Sequence, residues 1–413
     1  MSGKNLSLQP ARLIRSGLRW TVLGAVSGVL AGVASYVFLE GLHWVTDTQT
    51  SHRALVFFLP GAGLAIGLSN RFLAGGATRG NALLIDEIHS PTTWVPRRMA
   101  PLVLVGTWTT HLFGGSAGRE GTALQMSGSL SDAVGRIVGL TAEDRKIMLS
   151  AALGGGFGSV FGVPFAGAIF SLEVPTVGRL NLRAFLPALV SSFIGHTTVL
   201  ALGYHHTDRP LLSGSISLMT ALCLVVVGIG GGIAARGFVA ATHLVRRTIV
   251  RLLPSPTFRP VIGACGVLIL LSLTGRDYLG LSLPLLDAAI AGTSMALSVF
   301  ALKIVFTAVT IGTGFPGGEV TPLFVIGATL GAGLAPLLNL PVPLAAATGM
   351  VATFGAAANA PLACAVMGLE LFGASAVLPI GIVCAAAALA SGRPSIYESQ
   401  RHHTVRVTTT SVN

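Results

Sequence analysis

The chain has 413 residues, 52% of them hydrophobic, and a mean hydropathy of +0.77. Only 10% are charged, against about 25% in a soluble globular domain, which excludes that class. The formal net charge of +11 would point to nucleic acid in a soluble protein. Here the basic residues sit in short connectors between apolar runs, so that partner is excluded too.

Lys4, Arg12, Arg15 and Arg19 precede the first apolar run, Trp20–Leu39. The run is too long for the h-region of a cleavable signal, and no small-residue cleavage site leads into a soluble domain. Further runs follow at Ala54–Leu68, Met99–Phe113, Phe185–Leu202, Leu218–Ala235, Val261–Leu273 and Ala374–Ala390. Some reach the ~20 residues that cross a bilayer, and several are shorter. Short, glycine-interrupted segments predict broken or re-entrant helices inside a protein-lined bundle. Arg246, Arg247, Arg251 and Arg259 flank one internal loop. With the N-terminal cluster, they place both regions in the cytoplasm by the positive-inside rule. The connector "GYHHTDRPLLSG", from residue 203, carries one Asp and one Arg and fits the outer side, with His205 and His206 solvated. Cys223, Cys265, Cys364 and Cys384 lie in apolar runs without a CxxC pair and read as core residues, neither disulfides nor a metal site. His402 and His403 in the polar tail have no ligand-like spacing with carboxylates, so no metal and no cofactor are expected. The last apolar run ends about twenty residues before Asn413, so the expectation is that no soluble regulatory domain follows it.

An internal repeat organises these runs. "GSAGREGTALQMSG" (115–128) and "GFPGGEVTPLFVIG" (314–327) share six of fourteen positions at an offset of 199. "FGSVFGVPFAGAIFSLE" (157–173) and "FGAAANAPLACAVMGLE" (354–370) match at seven positions at an offset of 197. Two blocks in the same order at nearly one offset divide the chain into related halves. The segments are then 1–19, an N-terminal stretch; 20–202, the first membrane repeat; 203–213, the external connector; 214–390, the second repeat; and 391–413, a last short helix and tail.

Each repeat block places glycines, then an acid, then a helical run, Thr122–Val138 or Thr321–Leu334. A helix opened by such a loop presents free backbone N–H groups and partial positive charge, and attracts anions. Gly118 and Arg119 in one loop, and Gly317, Gly318, Val320 and Thr321 in the other, are therefore candidate anion-binding positions. The alternative for the glycines is close helix packing through small residues. Glu120 and Glu319 are acids within apolar surroundings, which is costly and points to function. At an anion-attracting helix end, a carboxylate occupies the site when charged and leaves it when protonated, which couples anion to proton. The bland readings are a salt bridge with Arg119 for Glu120 and a polar rim position for Glu319. Glu173 and Glu370 each end an apolar segment and read equally as solvated helix ends or as parts of a proton route. Lys303, inside "LSVFALKIVFTAVT", either raises the site's positive potential or snorkels to the interface, and the second is the expectation.

"GREG" (118–121), "GVPFAGAIFSLE" (162–173), "GGEVTP" (317–322) and "RPSIY" (393–397) resemble, in order and spacing, the CLC family of chloride channels and anion/proton antiporters. The resemblance implies an all-α polytopic membrane protein, an inverted-repeat bundle of tilted and broken helices, and a homodimer with one pore per subunit. Glu120 matches the family's external gating glutamate, and Tyr397 the tyrosine that closes the inner side of the anion pathway. The departures are specific. Asn81 in "GNALL" stands where chloride-type members carry a coordinating serine, and "GGEVTP" has Glu319 and Val320 where they have an apolar residue and an aromatic. The second acid of an internal Glu-Glu pair is Val174. This set resembles the bacterial fluoride/proton antiporter branch, which has GREGT, as Thr122 completes it here. Fluoride is a strong hydrogen-bond acceptor, and Asn81, Tyr397, Thr321 and a protonated Glu supply donors for it.

The resemblance therefore implies proton-coupled fluoride export across a bacterial inner membrane, with membrane lipids, fluoride and protons as partners and both termini cytoplasmic. A chloride/proton exchanger or chloride channel of the same fold is the alternative. A membrane enzyme using paired carboxylates is disfavoured, because HExxH, GxSxG and Asp-rich metal motifs are missing.

Overall fold

A computed structural model of the chain describes residues 8–212, 216–393 and 395–402, with side chains from Ile14 onward. Lys4, the Arg12 side chain, the end of the connector, Pro394 and His403 lie outside the described residues. Eight α-helices precede the connector: α1 (Leu8–Ser51), α2 (Leu59–Ser69), α3 (Gly80–His89), α4 (Met99–Leu112), α5 (Glu120–Ile137), α6 (Ala142–Phe161), α7 (Pro164–Glu173) and α8 (Phe185–Ala201). Eight follow it: α9 (Leu218–Leu252), α10 (Arg259–Thr274), α11 (Leu283–Ile290), α12 (Ser298–Gly312), α13 (Val320–Leu334), α14 (Val342–Ala358), α15 (Pro361–Phe372) and α16 (Val377–Ser391). Two short strands, β1 (Thr176–Val177) and β2 (Arg401–His402), pair in parallel and tie the C-terminal segment to the end of α7.

All seven apolar runs map onto helices. Among the described residues, five helical stretches are long and apolar enough to cross a membrane: Ile14–Ser51, Arg53–His89, Leu182–Ala201, Leu218–Leu252 and Ala374–Ser391. The helix starts follow from local chemistry. Thr141 and Ser217 accept hydrogen bonds from the N–H groups of Asp144 and Thr220. Proline occupies the first turn of α2, α7, α10, α11, α14 and α15, where its missing N–H costs nothing.

Packing partners recur across the two halves. α1 lies against α8 as α9 lies against α16, and α5 packs on α6 as α13 packs on α14. α13 and α14 are buried over nearly their whole length. Their backbones meet at Gly331, where an added Cβ would lie 2.0 Å from the Ala345 carbonyl oxygen. Without an apolar gain between lipid-bathed helices, such close van der Waals contact is what holds them together.

Charged groups buried in the bundle find partners. Arg145 sits under Trp94 and donates to Glu87 (2.8 Å) and to both oxygens of Asp132, one at 2.9 Å. This buried cluster ties α3, α5 and α6 together, as a charge removed from water requires. Glu173 and Glu370 answer each other. The Glu173 carboxylate accepts the N–H groups of Leu362 (3.1 Å) and Ala363 (2.8 Å), at the start of α15. Glu370 accepts those of Phe165 (2.9 Å) and Ala166 (2.7 Å), at the start of α7. Each acid thus caps the first turn of the helix that carries the other, so neither is a solvated helix end.

Three further expectations fail. Lys303 does not snorkel: it is 0% exposed. Its stem is held within α12 between neighbouring helices, so its charge has no path to the interface. His206 is half-buried, over Gly162, with its ring stacked 5.8 Å from His196, because the connector folds back onto the bundle; only His205 is exposed. Cys364 and Cys384 are buried, but Cys265 faces outward from α10.

Candidate functional site

The two glycine loops meet. Gly118 N–H donates to the Gly318 carbonyl at 2.7 Å, and Gly318 N–H donates back to Gly118 at 2.8 Å. This antiparallel pair of bonds sets the starts of α5 and α13 against each other. Only glycine fits there: an added Cβ at Gly318 would lie 2.1 Å from Glu120 Oε1 and 2.9 Å from the Gly121 nitrogen.

Glu120 is fully buried and reaches across to the other loop. Its Oε1 accepts the Val320 N–H; its Oε2 accepts the Thr321 hydroxyl at 2.8 Å and the Arg119 N–H at 3.0 Å. The carboxylate therefore lies at the N-terminus of α13, in the field of that helix's free N–H groups. Chemically it stands in for the anion such a helix end attracts.

Beyond the crossing loops opens a vestibule of about 1010 Å³, lined by Asn81, Gly317, Glu319 and Tyr397 and, further out, by Arg71, Arg79, Arg246 and Arg259. Arg79 is paired with Asp86 and Arg246 with Glu398, which leaves Arg71 and Arg259 as the cations that draw anions into the cleft. Asn81 begins α3 and abuts the first turn of α5: a Cβ at Gly121 would be 3.3 Å from its Nδ2. Its Oδ1 is buried without a hydrogen-bond partner. Tyr397 is 5% exposed, with its ring edge on Phe170. Its backbone is fixed by Ile396 N–H to Ala357 O (3.0 Å) and by Gln400, which donates to Val174 O (2.9 Å) and Ala358 O (3.0 Å). Glu319 immediately precedes α13, half-buried, and lines the vestibule with Tyr397.

The structure thus brings together Gly118, Glu120, Gly318, Val320 and Thr321 at the crossing, and Asn81, Gly317, Glu319 and Tyr397 around the vestibule. The Arg119 side chain joins neither group. Its guanidinium lies over the Phe161 ring at 5.7 Å, so only its N–H serves the site, and it makes no salt bridge with Glu120. Sequence reasoning missed that one face of α12, at Lys303, Thr307 and Thr310, grips the first glycine loop through Ser116. The i, i+4, i+7 spacing of those three polar residues in an apolar run was the available signal.

A carboxylate held at a helix end inside the membrane, over a cation-lined vestibule, is the arrangement of a membrane protein that passes anions. Residues 61–392 match the family described as voltage gated chloride channel, and the chain belongs to that family. It is 41% identical over 391 residues to the chloride/fluoride channel protein of Pseudomonas syringae pv. tomato, covering 93% of this chain and 86% of that one. It is 28% identical to an H(+)/Cl(-) exchange transporter, ClcA, of Yersinia pestis, covering 89% of this chain and 83% of that one. The crystal structure of a CLC-type fluoride/proton antiporter superposes with a TM-score of 0.91 at 34% identity, covering 94% of this chain and 98% of that one. A slow cyanobacterial Cl-/H+ antiporter shares the fold, with a TM-score of 0.77 at 20% identity, covering 91% of this chain and 94% of that one.

Proposed function

We propose that the protein exports fluoride across a bacterial inner membrane in exchange for protons. The observation that carries the proposal is the Glu120 carboxylate seated on the N-terminus of α13. With Glu120 charged, the anion place is filled and the pathway is closed. Protonation removes the charge, weakens the three bonds and lets the side chain leave. An anion then takes the same donors, and loss of the proton returns the carboxylate. The carboxylate and the anion thus compete for a single place, and the proton on Glu120 decides between them, which couples their movements.

The ion is argued from donors. Asn81 brings an amide, Thr321 and Tyr397 bring hydroxyls, and Glu319 adds an O–H when protonated. A small, strongly hydrated acceptor gains more from close donors than chloride does. The relatives named for fluoride support the same ion. The excess of Arg around the vestibule supports a cytoplasmic placement for it, and with it cytoplasmic termini. Family membership supports a homodimer with one pathway per subunit.

The test is efflux from liposomes of defined internal fluoride or chloride, with an ion electrode and a pH reporter. Fluoride release with opposite proton movement, and little chloride release, is the expected result. Equal or faster chloride release overturns the fluoride assignment. Fluoride release without proton movement overturns the exchange.

A further inference from the structure

We infer that Lys303 is a positioning residue of the anion pathway that also supplies it, in its protonated form, with a positive charge, raising the affinity for the transported anion. The inference rests on the anion transport proposed above. Lys303 is 0% exposed, and its Nζ donates to Ser116 Oγ (2.9 Å), Gly280 O (2.9 Å) and Ser282 Oγ (2.8 Å), with Tyr278 O at 3.3 Å. All four acceptors are neutral. Among the described residues no carboxylate forms an ion pair with it. Arg145, the other deeply buried cation described above, is matched by two acids. Lys303 is matched by none, so its field is not cancelled locally, and in a low-dielectric interior such a field reaches well beyond contact distance.

Its position aims that field at the site. Ser116 precedes Gly118 by two residues and Glu120 by four. The same face of α12 completes the grip: Thr307 Oγ1 is 2.9 Å from Ser116 Oγ, and Ser116 N–H donates to Thr310 Oγ1 at 3.1 Å. A helix of the second half therefore fixes the loop of the first half on which Glu120 sits. The residue 199 positions earlier, in α4 of the first half, is Leu104, so this helix position is filled without a cation in the related half. The ammonium is an addition to the scaffold, and a costly one. With Glu120 withdrawn, the anion that replaces it enters a place already biased by Lys303.

The experiment compares wild-type protein with Lys303→Arg, Lys303→Gln, Lys303→Met and Ser282→Ala in liposomes, reading KM and maximum rate for fluoride and for chloride, with elution on gel filtration as the check of folding. Lys303→Gln and Lys303→Met are expected to raise the anion KM about tenfold or more while the maximum rate falls less than about threefold. Lys303→Arg should stay within about threefold of wild type. Ser282→Ala, which drops one bond and keeps the charge, should stay within about twofold. A folded Lys303→Gln with a wild-type KM overturns the inference. So does a loss in Lys303→Arg equal to that in Lys303→Met, and so does failure of both neutral variants to fold when the arginine variant folds, since the charge then serves the fold alone. If wild type moves chloride but not fluoride, the ion proposed above is wrong, and the KM comparison on chloride still decides the role of Lys303. A wild type that moves neither ion overturns both.

Discussion

Replacing Glu120 with Gln keeps the size of the side chain and holds it in the neutral form. The carboxylate accepts three hydrogen bonds, from Val320 N–H, the Thr321 hydroxyl and Arg119 N–H. A hydrogen bond to a charged group contributes about 1.5–3 kcal/mol, and one between neutral groups about 0.5–1.5. Ionisation therefore adds about 1 kcal/mol per bond, or about 3 kcal/mol in all, to the resistance an incoming anion must overcome. That is on the order of a hundredfold in apparent affinity. In Glu120→Gln, fluoride affinity measured by titration calorimetry at pH 7.5 should be about a hundredfold tighter than in wild type. Fluoride-driven proton movement in liposomes should be lost. A variant that still moves protons in the wild-type ratio removes Glu120 from the coupling. An unchanged affinity at pH 7.5 refutes the competition argument itself.

Glu319→Gln keeps size and a donor but removes titration; proton movement driven by fluoride should be lost, and wild-type coupling would rule out a proton role for Glu319 whatever its fluoride affinity. Gly318→Ala places a methyl group 2.1 Å from Glu120 Oε1, so the carboxylate should be displaced and proton coupling lost in a protein that still elutes as wild type; retained coupling would show that the crossing yields. Glu370→Ala removes two bonds to the first turn of α7 at a cost of about 3 kcal/mol, and should lower the midpoint of thermal unfolding; an unchanged midpoint by scanning fluorimetry would show that water replaces the cap.

What was legible in the sequence is what local pattern controls. Apolar run length located the helices because the bilayer sets a minimum span. Glycines followed by an acid marked the two helix starts because that chemistry is written within six residues. What was not legible depends on partners far along the chain. Nothing near Glu120 says that its carboxylate will bond to Val320 and Thr321, some 200 residues away. Lys303 was expected at the interface because a long cationic side chain in an apolar helix usually reaches water. Its acceptors come from Ser116 and from the 278–282 turn, which only tertiary packing assembles. His206 reads as solvated for the converse reason: a polar connector gives no sign that it folds back against Gly162 and His196.

The reciprocal caps of Glu173 and Glu370 bear on how the protein is made. When α1 to α8 have entered the membrane, the N–H groups of Phe165 and Ala166 have no acceptor yet, because Glu370 lies 205 residues beyond Phe165. Glu173 at that stage is a buried acid still waiting for Leu362 and Ala363. Unsatisfied groups of this kind are costly in a bilayer. A chain synthesised only that far therefore leaves the start of α7 and the Glu173 carboxylate without the partners they have in the finished fold. Closing α7 onto α15 satisfies both helix starts and both acids together, so translation order becomes part of the folding pathway.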